Sequence, residues 1–169
     1  NAADDDCDGR INEGVYGAST PVALGWAGAG VAPAIVASGS GYIIAWTGMP
    51  APMRVRHAAA IDAAGVPSAP VVDLYMDIGE ITTVDLDRQG ATVVAVWQSE
   101  WTEWGVPYNF MTFAALRADA TTEWTCSQPF AAGDALGFPA IAIGAAGQIA
   151  FAGYEATTNT STLRLFARG

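Results

Sequence analysis

The sequence predicts an all-β fold, on three observations. From about Pro21 onward, short β-prone runs alternate with Gly, Pro, Ser and Asp, the composition of strands joined by tight turns. Apolar residues spaced three and four apart, the mark of an amphipathic helix, are nearly absent. One order of elements recurs three times: a strand, a glycine turn, then a strand ending in an aromatic residue.

In the first copy, residues 33–38 predict strand a, Gly39 to Gly41 a turn, and residues 42–46 strand b. Residues 53–61 then predict strand c, Asp62 to Gly65 a turn, and residues 69–75 strand d. The alanine-rich stretch beginning at His57 suits a helix or an outer strand, and the repeat decides for strand. The second copy runs through residues 81–86, a turn at Gly90, residues 92–97, a longer connection, residues 109–116 and residues 122–130. The third has residues 139–143, a turn at Gly147, residues 148–154 and residues 162–166.

The aromatic residue ending strand b falls at Trp46, Trp97 and Tyr154, spacings of 51 and 57 residues. A four-stranded propeller blade repeats at roughly 40–50 residues. The expectation is therefore about three four-stranded propeller-like blades, about twelve strands. Residues 22–26 would supply strand d of the last blade by pairing with residues 162–166. Ile35, Ile43, Ile44, Trp46, Val94, Val96, Trp97, Ile141, Ile149 and Phe151 are the expected core, because inner strands are covered on both faces. A closed ring takes typically four to eight blades. Three imply a partial propeller completed by oligomerisation or by a missing remainder of the chain, or else a sandwich.

The pattern P-x-I-A … G-x-x-x-A-W … V-R-x-A-x-x-D-x-x-G, over about residues 20–169, resembles that of secreted β-propellers. The resemblance implies the fold and no particular activity.

Composition narrows the function. The 169 residues carry a net charge of −10, and the seven basic residues are all arginine. No basic stripe exists for a nucleic-acid partner. The longest apolar run, residues 22–46, is broken by glycines, Pro33, Ser38 and Ser40, so no membrane span is expected. The two cysteines, Cys7 and Cys126, allow one disulfide in an extracellular chain. Alternatively, Cys7 pairs with a cysteine upstream of Asn1.

The acidity is concentrated at the start. Residues 1–17 form a polar, acidic segment, distinct from the repeat domain of residues 18–169. Asp4, Asp6 and Asp8 take the first, third and fifth positions of an EF-hand-type loop, and Gly9 makes the sharp turn at the sixth. Arg10 offers its carbonyl at the seventh, Ile11 anchors the eighth, and Asn12 stands at the ninth. Val15 replaces the acid of the twelfth position, leaving Glu13 as the substitute ligand. Hard oxygen donors in this order suit calcium. The same residues resemble the N-x-x-D-D-D-C-D-G-x-x-D-E-G metal-binding motif (MopE type) of secreted bacterial proteins. That resemblance implies copper or calcium as the metal, and a bacterial secreted or cell-surface location.

The connection between strands b and c of the second copy contains Glu100, Trp101, Glu103, Trp104 and Tyr108. Aromatic faces with nearby carboxylates stack on sugar rings and accept their hydroxyls. Equally, the tryptophans fold down onto the loop's own apolar side. His57, the sole histidine, has no acidic neighbour in sequence and reads as structural. No G-x-S-x-G elbow is present. Gly28, Gly30 and Pro33 echo a dinucleotide loop, but a strand follows where a helix is required. Asp73, Asp77, Asp85, Asp87 and Glu80 are expected at a d–a turn and on an exposed strand face.

No catalytic constellation emerges. The sequence points to an extracellular calcium-binding β-repeat module for adhesion, recognition or surface assembly, with a carbohydrate or protein ligand. The alternative is a fragment of a larger secreted hydrolase.

Overall fold

A computed structural model of the chain describes residues 33–48, 54–77, 84–103, 106–129, 136–155 and 160–166. The described residues form eleven strands and no helix. Their order is β1 (Ala34–Ser38), β2 (Gly41–Gly48), β3 (Arg54–Ile61), β4 (Val72–Asp77), β5 (Val84–Gln89), β6 (Thr92–Glu103), β7 (Val106–Leu116), β8 (Thr122–Pro129), β9 (Leu136–Ile143), β10 (Ile149–Glu155) and β11 (Thr160–Phe166).

Each sheet is an antiparallel meander of consecutive strands. The first is β1-β2-β3-β4, the middle β5-β6-β7-β8, and the third β9-β10-β11. Short connections force this order, since neighbouring antiparallel strands need only a tight turn. Gly39 and Gly90 begin the two-residue turns of the first and middle sheets, both at φ 59°, which a side chain would strain. The alanine-rich segment after His57 is strand, paired along β2 from Val55 to Ile61.

The three sheets stack in chain order through their side chains. Strand alternation gives each sheet two faces. Ile43, Ala45, Ala58, Ala60 and Leu74 of the first sheet meet Val84, Leu86, Val93, Ala95, Trp97, Ala114 and Leu116 of the middle sheet. The opposite face of the middle sheet, with Val94, Val96, Met111 and Phe113, meets Phe151, Ile141, Ile143 and Ile149 of the third. Phe113 and Phe151 make an edge-to-face contact, with centroids 6.2 Å apart. The middle sheet is thus apolar on both faces, which is why β6 reads as a continuous run, Val93 to Trp97, rather than an alternation.

The first strands β1, β5 and β9 lie side by side, and each is an edge of its own sheet. Side chains of β5 serve both neighbours. Arg88 Nη1 donates to the Ala37 carbonyl of β1 at 3.0 Å. On the other side, Asp85 Oδ2 accepts from the Ile141 amide of β9 at 2.9 Å, and Asp87 Oδ2 accepts from the Ile143 amide. Edge backbone groups that could template another strand are occupied in this way.

Two sequence expectations need correction. Ile35 is 60% exposed rather than buried, because it points away from the middle sheet on the outward face of β1. Asp85 and Asp87 do not line an exposed strand face; they are half-buried at the join between sheets. Residues 22–26, offered as a partner for β11, lie outside the described residues.

Candidate functional site

The middle sheet carries the feature with the clearest capacity to meet a ligand. Strand β5 pairs with β6 only from Thr92 to Trp97, and β8 pairs with β7 only from Phe110 to Leu116. Strands β6 and β7 continue together past both neighbours, to the pair Glu103 and Val106. The expected loop between strands b and c is therefore a two-stranded ribbon, the extension of two core strands. On β7, Val106, Tyr108 and Phe110 stand at alternate positions, residue types that favour this extension over an irregular loop.

The register of the ribbon places Trp101 directly opposite Tyr108, Glu100 opposite Asn109, and Glu103 opposite Val106. Cross-strand partners occupy one side of a pleated pair. Trp101 and Tyr108 are thus brought together by register, whereas the sequence gives only their proximity along the chain. Trp104 lies outside the described residues.

The root of the ribbon is fixed from the first sheet. Arg56 of β3 is fully buried, and its Nη2 donates to the Gln98 carbonyl at 3.1 Å. Gln98 is the first β6 residue beyond the β5 pairing. A short ribbon is marginal in isolation, so a charge-assisted bond at its base restricts where it points.

A second polar group sits on the outward face of the first sheet. His57 of β3 and Asp73 of β4 are register partners, with Nδ1 and Oδ1 2.7 Å apart. The imidazole also lies against the Trp46 ring, centroids 5.3 Å apart at 37°. Sequence reading gave His57 no acidic neighbour; the partner stands 16 positions on and is reached only across the strand pair. The pair orients His57 and shields one side of its ring.

The proposed metal ligands Asp4, Asp6, Asp8, Arg10, Asn12 and Glu13 lie outside the described residues, as does Cys7. Cys126 stands on β8 and is exposed. Among the described residues no group of three or more His, Cys, Asp or Glu side chains is placed to hold a metal ion. Nor is any helix among them long and apolar enough to cross a membrane. No family model matches the chain, and neither a curated protein nor a solved structure matches it.

Proposed function

We propose that the chain is an extracellular β-repeat recognition module that binds a carbohydrate through the β6–β7 ribbon, with the acidic segment as a calcium clamp. The register of Trp101 with Tyr108 carries the first part. Aromatic residues in register are of the kind that sugar rings stack on, and Glu103, two positions beyond Trp101 in the strand alternation, is the carboxylate that would accept hydroxyls beside them. The Arg56 anchor supports the reading, since a positioned site lowers the ordering cost of binding.

The finer reading of the fold, successive propeller-like blades, is supported by three features: consecutive meanders, face-to-face stacking in chain order, and adjacent first strands. Propeller connections between strands b and c share one face of the ring, and the ribbon lies in that position. The calcium clamp rests on the order of oxygen ligands from Asp4 to Glu13. The missing acid at Val15 leads us to expect affinity in the extracellular range, roughly 10⁻⁴–10⁻³ M.

Affinity electrophoresis in gels containing soluble glucans, mannans and galactans tests the ribbon. The wild-type chain should be retarded by at least one of them, and the Trp101→Ala, Tyr108→Ala double variant should migrate freely with its fold unchanged. Equal retardation of the two proteins removes the ribbon from the proposal. Calorimetric titration of calcium tests the clamp separately. Asp6→Ala should weaken binding while leaving thermal unfolding of the β domain in place.

A further inference from the structure

Strand alternation sorts the ribbon residues onto two faces. Trp101 and Glu103 of β6 share one face with Tyr108 and Phe110 of β7, and Glu100 and Asn109 share the other. The first of these continues the face that carries Trp97, Ala114 and Leu116 against the first sheet. The aromatic positions are thus gathered on one side of the ribbon, in a row that grows out of the first junction.

Burial falls along β7 toward the ribbon. On this face Ala114 is fully buried, Thr112 is 3% exposed, and Phe110 is half-buried. The Thr112 and Ser127 hydroxyls are hydrogen-bonded at 2.9 Å, so the row is closed at its root. Beyond Thr112 the face offers three register pairs: Phe110 with Ser99, Tyr108 with Trp101, and Val106 with Glu103. Successive positions on one face of an antiparallel strand are about 6.8 Å apart. An aromatic ring and a pyranose are both six-membered and of similar width, so one sugar covers one aromatic position. Phe110 is one such position, and the Trp101–Tyr108 pair is the next.

We propose that the ribbon binds a neutral linear glycan through at least two successive sugar rings, with Phe110 beneath the ring nearest the root. The inference rests on the carbohydrate reading of the ribbon and says which carbohydrate: a chain laid along β7, rather than a single sugar. Phe110 then sets the preference for chain over monosaccharide. Charge sets the preference for a neutral chain. Glu103 shares the aromatic face, and the protein carries a net charge of −10, so a uronate or sulfated chain meets like charge.

Calorimetric titration of the full chain with glucose, mannose and galactose, and with their 1,4-linked oligomers of two to five rings, is the test. Affinity should rise roughly three- to tenfold from one ring to two, the range for an added ring stack. It should level off beyond three rings, where the register pairs end. Phe110→Leu keeps apolar bulk at a half-buried position and removes the flat ring. That variant should bind a disaccharide no better than a monosaccharide, with thermal unfolding unchanged, and Phe110→Trp should restore the rise. A wild-type chain that binds disaccharide and monosaccharide equally overturns the inference and leaves the carbohydrate reading standing. So does a Phe110→Leu chain that keeps the rise. A galacturonate trimer bound as tightly as the neutral trimers at low salt overturns the preference for a neutral chain. No heat with any oligomer overturns the inference as well, and the gels containing polysaccharide then decide whether the carbohydrate reading falls with it.

Discussion

The two junctions between sheets are made by the same strand order and by different chemistry. The first is the larger apolar cluster, with Trp97, Leu86 and Val93 of the middle sheet set over the alanines, Ile43 and Leu74 of the first, and Arg88 of β5 donates to the Ala37 carbonyl of β1 at its edge. The second has a smaller apolar cluster around Phe151, and the backbone amides of β9 are held by the Asp85 and Asp87 carboxylates. Apolar burial is non-directional and scales with area. It can join two faces without deciding where an edge strand lies. The carboxylates bond specified amides, so they fix the position of β9 relative to β5.

The sharpest way to break this comparison is to empty the first junction. Trp97 is fully buried, and Trp97→Ala should cost about 3–5 kcal/mol, the range for deleting a large aromatic side chain from a core. Urea denaturation followed by Phe151-region hydrogen exchange would read the effect. A loss under about 1 kcal/mol would mean that the first junction is not where the apolar burial counts.

The second junction is attacked by the double variant Asp85→Ala, Asp87→Ala. It should cost about 2 kcal/mol, because each amide loses a charge-assisted bond and partly regains water. Asp85→Asn with Asp87→Asn keeps an acceptor at each site and should recover most of that loss. The alanine variant should also aggregate more readily, since it uncovers an edge strand. Equal losses in the alanine and asparagine variants would show that the carboxylates act through charge alone.

Arg56 supplies a directional element at the first junction beside the Arg88 bond to the Ala37 carbonyl. Arg56→Met keeps much of the side-chain volume and removes the donor to the Gln98 carbonyl. Removing the buried charge also removes its desolvation cost. The net loss should therefore be modest, about 1–2 kcal/mol, with faster amide exchange confined to the ribbon beyond Gln98. Faster exchange spread over the whole middle sheet would assign Arg56 to the core instead.

These effects separate what the sequence made legible from what it did not. The strands and their order were readable because aromatic-ended runs recur beside turn glycines, as at Trp46 and Trp97. Strand ends were less so: β6 runs on to Glu103 because backbone pairing with β7 continues after the apolar pattern stops. Ile35 carries the same apolar signal as Leu86. Only the position of its sheet at the end of the stack separates their burial. Asp85 and Asp87 look like surface charges in a strand until a neighbouring edge supplies amides, and His57 finds Asp73 only through register. Of the site, the residue types of the ribbon were visible in sequence. The opposition of Trp101 and Tyr108, and the Arg56 anchor, were not.

The smallest expected effect concerns a turn shared by all three sheets. Asp62 and Val66, Arg117 and Thr121, and Gly144 and Gln148 each close a turn by an amide-to-carbonyl bond of 2.8–2.9 Å. The fourth residue of the turn adopts positive φ: Gly65 at 81°, Gly147 at 80°, and Ala120 at 66°. An L side chain there costs about 1–2 kcal/mol, so glycine would be expected in all three. Ala120 differs in being fully buried within the first junction's apolar cluster. Its methyl gains about 0.8 kcal/mol by leaving water, and alanine restricts the unfolded chain relative to glycine by a further ~0.4–1 kcal/mol. Those gains nearly offset the strain. Asp119 adds local support, accepting from the Thr121 amide at 3.0 Å and hydroxyl at 2.6 Å. Those bonds hold its carboxyl below the usual value of 3.8, so the support is complete above that pH and fades as pH falls through the lowered value. Ala120→Gly should accordingly change stability by less than about 0.5 kcal/mol, measured by urea denaturation at neutral pH. Ala120→Val keeps the strain and adds a β-branched side chain to a left-handed site in a filled core, which costs more than about 2 kcal/mol. A stabilisation above 1 kcal/mol in the glycine variant would mean that the methyl contributes nothing to the junction, and the turn would then be strained without compensation.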